Sequence, residues 1–185
     1  MIASSPPQGV LLINLGTPDS ASVADVRRYL AEFLSDPRVI DVHPLARWLL
    51  LHGIILRSRP RRSAAAYGEI WTDRGSPLLV HAQDLTAALQ ARFASAARVR
   101  LAMRYGNPSI AAALDAFAAE GIDRVAVLPL FPQYSSATTG SAMAACGQAA
   151  LARWNVPVLQ FIGEHFDDPG YIAALADSVR PALQR

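Results

Sequence analysis

The sequence predicts an α/β fold, a three-layer sandwich in which a parallel sheet of about four strands carries helices on both faces. Three observations lead there. Apolar runs at residues 9–15, 99–103, 123–130 and 157–162 are nearly continuous rather than alternating, as in strands covered on both faces. Amphipathic or alanine-rich stretches with recognisable caps separate them. In the later half strand and helix alternate, which requires crossover connections and therefore parallel pairing.

In chain order, residues 9–15 (GVLLINL) form the first strand, broken by Gly16-Thr17-Pro18-Asp19-Ser20. A helix follows from Ser20 or Ser22 to Leu34, with a hydroxyl N-cap and Val23, Val26, Tyr29, Leu30, Phe33 and Leu34 on one face. Asp36-Pro37 ends it. Residues 44–56 (PLARWLLLHGIIL) are apolar nearly all round, so two readings stand: a helix buried on every side, or one applied to an apolar surface. Arg57, Arg59, Arg61 and Arg62 come next, either as a solvated basic turn or as a cluster facing an anionic surface or ligand. Residues 63–71 continue as a helix, Arg74-Gly75-Ser76-Pro77 reads as a break, and Pro77 as the first residue of a helix reaching about Phe93.

The strand at 99–103 is expected to stop at Arg104, Tyr105, Gly106 and Pro108. Ligands of open α/β sheets bind beyond the carboxyl ends of the strands, so Arg104 and Tyr105 are placed to meet one. The competing reading is an ordinary turn with Tyr105 packed and Arg104 solvated. Residues 109–120 read as a helix closed by Gly121, 123–130 as the third strand, and 131–141 as a hydroxyl-rich loop entering another helix. A fourth strand at 157–162 and a last helix from Asp168 or Pro169 to near Arg185 complete the chain.

Composition excludes several classes of function. The chain has 185 residues, 52% hydrophobic and 17% charged, with a net charge of +2, which fits one globular domain without a clustered basic face for nucleic acid. Every basic residue other than histidine is arginine, so the available cations are fork-shaped donors. A lone Cys146 can build neither a disulfide framework nor a thiolate metal site. No apolar run reaches spanning length and no secretory pattern opens the chain, so the expected location is cytoplasmic.

The residues themselves leave the chemistry open. The loop around Ser135 to Thr139 resembles a phosphate cradle at a helix N-terminus, but no P-loop pattern accompanies it and Gly16 lacks the further glycines of a dinucleotide fingerprint. His43, His52, His81 and His165 show no metal-ligand spacing and read as surface or capping groups. Glu164, Asp167 and Asp168 read as acids favoured near a helix start. What emerges is a carboxyl-end crevice lined by Arg104, Tyr105, Tyr134 and hydroxyls, flanked by an apolar helix and arginines. Such a crevice suits a large, flat, apolar anion.

Residues 9–18 (GVLLINLGTP), 29–39 (YLAEFLSDPRV), Tyr67 to Trp71 with Gly75-Ser76-Pro77-Leu78, then Met103-Arg104-Tyr105-Gly106 and 128–140 (LPLFPQYSSATTG) resemble, in order, the first half of the ferrochelatases. The proteobacterial type, which inserts ferrous iron into protoporphyrin to give protohaem, is the most similar. The resemblance implies a chelatase-like, flavodoxin-like topology in which two α/β halves clasp the macrocycle, with this chain as the N-terminal half. It implies that the histidine and glutamate that accept pyrrole protons lie beyond residue 185, in a missing C-terminal half, and that the chain alone is inactive.

It further implies that Arg59 faces a propionate, that Tyr67 and Ser76 contact the porphyrin, and that Leu15 shapes the metal-entry side without ligating. Arg104 and Tyr105 resemble a pocket-floor pair. Phe33, Leu34 and the 44–56 helix with Trp48 resemble the lip, open to peripheral contact with the inner membrane. Ser136 stands where some members carry a cluster cysteine, so no iron–sulfur cluster is expected. Protoporphyrin IX and ferrous iron are the expected partners, the iron as substrate, with no resident cofactor. Two other readings stand beside this: a porphyrin-binding module without chemistry, and a flavodoxin-like mononucleotide binder using Ser135 to Thr139.

Overall fold

A computed structural model describes residues 8–183. Four parallel strands, β1 (Gly9–Thr17), β2 (Arg98–Gly106), β3 (Arg124–Pro129) and β4 (Val158–Phe161), form one sheet in the order β2-β1-β3-β4. This is the doubly wound order in which connections leave β1 and β3 in opposite directions, opening a crevice at their carboxyl ends. The expected fold class is therefore observed.

Around the sheet run α1 (Val23–Ser35), α2 (Pro44–Leu50), α3 (Leu56–Ile70), α4 (Pro77–Phe93), α5 (Ile110–Ala119), α6 (Ser141–Leu151) and α7 (Pro169–Leu183). α1 starts where Ser22 Oγ accepts the Asp25 N–H, and α5 where Ser109 Oγ accepts that of Ala112, each at 3.2 Å. One face of the sheet packs Leu11, Ile13, Ala102, Val125 and Val127 against Leu114 and Phe117 of α5 and Ala142 and Cys146 of α6. α4 stands outside that cluster and packs on β1 and β2 from the other face. A second cluster sits at the carboxyl ends of β1 and β2, where Val26, Tyr29, Leu30 and Leu34 of α1 meet Leu51, Leu56 and Ala64, with Leu15 and Tyr105 below.

Three expectations are corrected. β2 does not stop at Met103: its ladder with β1 continues through Gly16↔Tyr105 and Thr17↔Gly106, so Arg104 and Tyr105 are strand residues. The arginine cluster is not a turn either. α2, a π turn (Leu51–Ile55) and α3 follow without interruption, so Arg57, Arg59, Arg61 and Arg62 ride on α3, which runs on to Ile70. Pro60 lies inside α3, just past the wider π turn. Finally, the 44–56 segment is not buried on every side: Leu51 and Leu56 are buried, whereas Leu45, Trp48, Leu49 and Ile54 are exposed.

Candidate functional site

The carboxyl ends of β1 and β2 converge on one buried carboxylate that the sequence did not single out. Asp36, at the C-cap of α1, accepts from Ser141 Oγ at 2.5 Å, Arg104 Nη2 at 2.7 Å and Tyr105 Oη at 2.8 Å, all on Oδ2. Its Oδ1 accepts the Arg38 backbone N–H at 2.7 Å. Arg104 Nε donates to Ser141 Oγ at 2.6 Å, and its guanidinium lies 4.3 Å over the Tyr105 ring. One acid thus joins α1, β2 and α6. An acid at a helix C-terminus opposes the macrodipole, and that was the signal available for finding it. Ser141 gave no comparable signal.

Burial by itself pushes the Asp36 carboxyl up. The donated bonds of Ser141, Arg38 N–H and Tyr105, with the Arg104 charge, outweigh burial and hold it below the ordinary aspartate value. Stability linked to this group is therefore present above the ordinary aspartate range and is lost as pH falls through the depressed folded value. Acid titration followed by circular dichroism is expected to show cooperative loss of structure below about pH 4, and the Asp36→Asn variant is expected to show a smaller acid-dependent decrement. Burial likewise pushes the Tyr105 hydroxyl up to about 12, against the opposing Ser141 hydroxyl, so it stays a donor.

The expected site residues divide into two groups. Tyr105 has no exposed surface, so the reading in which it packs is the observed one, and it is not itself a floor that a ligand touches. Ser76 is 4% exposed, its hydroxyl accepting from Thr17 at 2.8 Å, and Leu34 is a core residue of α1. Such groups reach a ligand only through what they hold. Leu15, Phe33 and Tyr67 are half-buried in the cluster at the strand ends, where Phe33 meets Tyr105 edge-on at 5.1 Å and Tyr67 lies 6.4 Å from Tyr29. Trp48 and Tyr134 are exposed. Arg104 is a mixed case, its side chain 20% exposed and paired to Asp36 rather than solvated.

Arg59 and Arg62, with Ser58, Ser63 and Ala66, line a recess of ≈ 500 Å³ on α3. Neither arginine has an acidic partner among the described residues. Arg59 also acts on Tyr67, whose hydroxyl burial raises while the Tyr29 hydrogen bond and the Arg59 charge oppose. Arg104, Asp36, Arg38, Ser141 and Gln148 belong to a second recess of ≈ 380 Å³ between α1 and α6. A larger cavity of ≈ 640 Å³ lies at the amino end of β3, away from all of these groups.

The hydroxyl loop is no open anion cradle. A π turn (Ser136–Gly140) runs directly into α6, Ser135 Oγ already accepts the Ala137 N–H, Ser136 Oγ accepts from Arg38, and Thr139 is 1% exposed. Two of the histidines serve locally: His43 Nδ1 accepts the Leu45 N–H at the start of α2, and His52 stacks on Trp48 at 5.0 Å. Glu164 accepts the Tyr134 N–H at 2.8 Å, bracing the loop after β3. Among the described residues no group of three His, Cys, Asp or Glu is arranged to hold a metal, and no helix is long and apolar enough to cross a membrane.

Comparison with known proteins covers this whole arrangement. The family model for ferrochelatase matches residues 7–185. The chain is 48% identical over 186 residues to the ferrochelatase of Teredinibacter turnerae, covering 98% of this chain and 51% of the relative. It is 52% identical over 176 residues to that of an Azoarcus species, covering 93% and 48% respectively. To the ferrochelatase of Methylibium petroleiphilum it is 53% identical over 181 residues, covering 95% and 49%. The chain spans about half the length of the curated relatives it matches.

Proposed function

Because this chain belongs to the ferrochelatase family, we propose that it supplies the porphyrin-holding part of an enzyme that inserts ferrous iron into protoporphyrin to give protohaem. The observation that carries this beyond family membership is the α3 recess. Two arginines without an acidic partner among the described residues line it, on the same uninterrupted helical run that carries the exposed Leu45, Trp48 and Leu49 of α2, a pairing of cations with apolar surface that suits an apolar dianion. The macrocycle lies against Leu15, Phe33 and Tyr67, its carboxylates on Arg59 and Arg62, with Ser76 holding Thr17 from beneath.

Metal insertion needs a distorted macrocycle and a base that takes up the pyrrole protons. In this account residues 1–185 bind and orient the porphyrin, while the base and the metal-guiding acid are contributed by residues outside them. The 185-residue chain alone therefore binds porphyrin without inserting metal. Iron is substrate, and no iron–sulfur cluster is assigned, since serine occupies position 136. The exposed Leu45, Trp48, Leu49 and Ile54 form a lip through which porphyrin enters from the surface of the inner membrane, the protein itself residing on the cytoplasmic side.

Titration of protoporphyrin into the chain, read by the Soret shift and quenching of porphyrin emission, tests this. Arg59→Leu is expected to weaken binding by about tenfold, the loss of one charge-assisted carboxylate contact, with no change in thermal midpoint. Equal affinity of the variant and the parent chain would contradict the assignment of Arg59.

A further inference from the structure

We propose that Asp36 is the positioning residue of this site: it fixes Arg104 so that one edge of the guanidinium stays locked in the protein and the other remains free for a ligand. The inference rests on the porphyrin reading above but concerns a residue whose contribution is made through its neighbour.

Three observations carry it. Arg104 spends Nε on Ser141 and Nη2 on Asp36, whereas Nη1 has no partner among the described residues. A guanidinium anchored through two of its nitrogens cannot rotate, so the direction of the remaining donors is set by the acid that anchors it. The acceptor is also shared: Asp36 Oδ2 takes Arg104, Tyr105 and Ser141 together, so the end of β2 and the first turn of α6 are held in register by one oxygen. Finally, Arg104 lines the ≈ 380 Å³ recess together with Arg38, Gln148 and the acids Glu32 and Asp36. The Arg38 side chain makes a single hydrogen bond, to Ser136 at 3.2 Å, so donors of both arginines stay available there although Glu32 and Asp36 balance their charge. With the two carboxylates of the porphyrin on Arg59 and Arg62, an unprotonated pyrrole nitrogen or the π face of the macrocycle is what those donors can meet.

A purely structural acid would weaken every property in proportion to stability. A positioning acid makes its effect on binding depend on Arg104. The test is a double-mutant cycle of Asp36→Asn and Arg104→Gln in the 185-residue chain, with protoporphyrin affinity as the readout and thermal midpoints as the control. Asp36→Asn keeps the side-chain shape, and the conservative Asp36→Glu serves where it fails to fold. Asp36→Asn is expected to weaken binding by about tenfold in the parent chain and by less than about twofold once Arg104 is glutamine. Additive losses, or an unchanged affinity in Asp36→Asn, would overturn the inference.

If the parent chain binds no porphyrin, the functional reading fails, and Asp36 is judged separately by ¹⁵N NMR. An Arg104 Nε–H that exchanges slowly in the parent and fast in Asp36→Asn supports positioning. Equal exchange in both refutes it.

Discussion

Replacing Asp36 by alanine is expected to lower stability by about 3 kcal/mol, because it leaves Arg104 half-buried without its counter-charge. The variant removes an acceptor that three side chains share, and none of Arg104, Tyr105 and Ser141 has another carboxylate within the cluster. Tyr105 suffers most, since its hydroxyl is fully buried and keeps only Ser141 at 3.2 Å. For a chain of this length the thermal midpoint should fall by about 10 °C. A shift within a degree or two of the parent would mean that the cluster is solvated in solution, and it would remove the basis for assigning Asp36 any role in the site.

Gly16→Ala is expected to be at least as damaging. Gly16 has φ of +120°, and a Cβ built there would stand 1.9 Å from the Tyr105 carbonyl oxygen. That oxygen is backbone in the neighbouring strand, paired with Gly16 itself, so no side-chain rotation relieves the overlap. Either the β1–β2 ladder opens at its carboxyl end or residue 16 abandons its conformation; each costs about 3 kcal/mol or more. The damage falls where the candidate site is built, because Tyr29 donates to the Gly16 carbonyl at 3.2 Å and Thr17 bonds Ser76. Soluble expression with a midpoint lowered by about 10 °C is the mildest outcome expected. An unperturbed variant would contradict the register of the first two strands.

Much of this architecture was legible because its signals are local. The continuous apolar strands, the serine cap of α1 and the proline opening α4 each depend on a few neighbouring residues, and each lies where the sequence places it. The end of β2 was not legible, since the pairing of Tyr105 with Gly16 is a relation between segments far apart in sequence. The same holds for Asp36, whose partners Arg104 and Ser141 lie 68 and 105 residues away. A stretch that reads as a helix stop is the centre of the polar cluster. The arginines of α3 were left between a turn and an anion-facing cluster because nothing local shows that the helix runs on from the π turn through Pro60 to Ile70. Family resemblance raises the expectation of a site at Arg59, Tyr67 and Ser76, and the packing separates the buried Ser76 from Tyr67 and Arg59, which have surface to offer a ligand.

Zinc and ferrous-iron insertion into protoporphyrin decides whether this chain is the porphyrin-holding part of a ferrochelatase. The rate is compared for the 185-residue chain alone and with the remainder of the Azoarcus relative supplied in trans. The chain alone is expected to shift the Soret band without insertion, and metalloporphyrin is expected to form once the two are combined. Insertion by the chain alone would contradict the placement of the base outside these residues, and absence of both binding and insertion would contradict the functional reading itself.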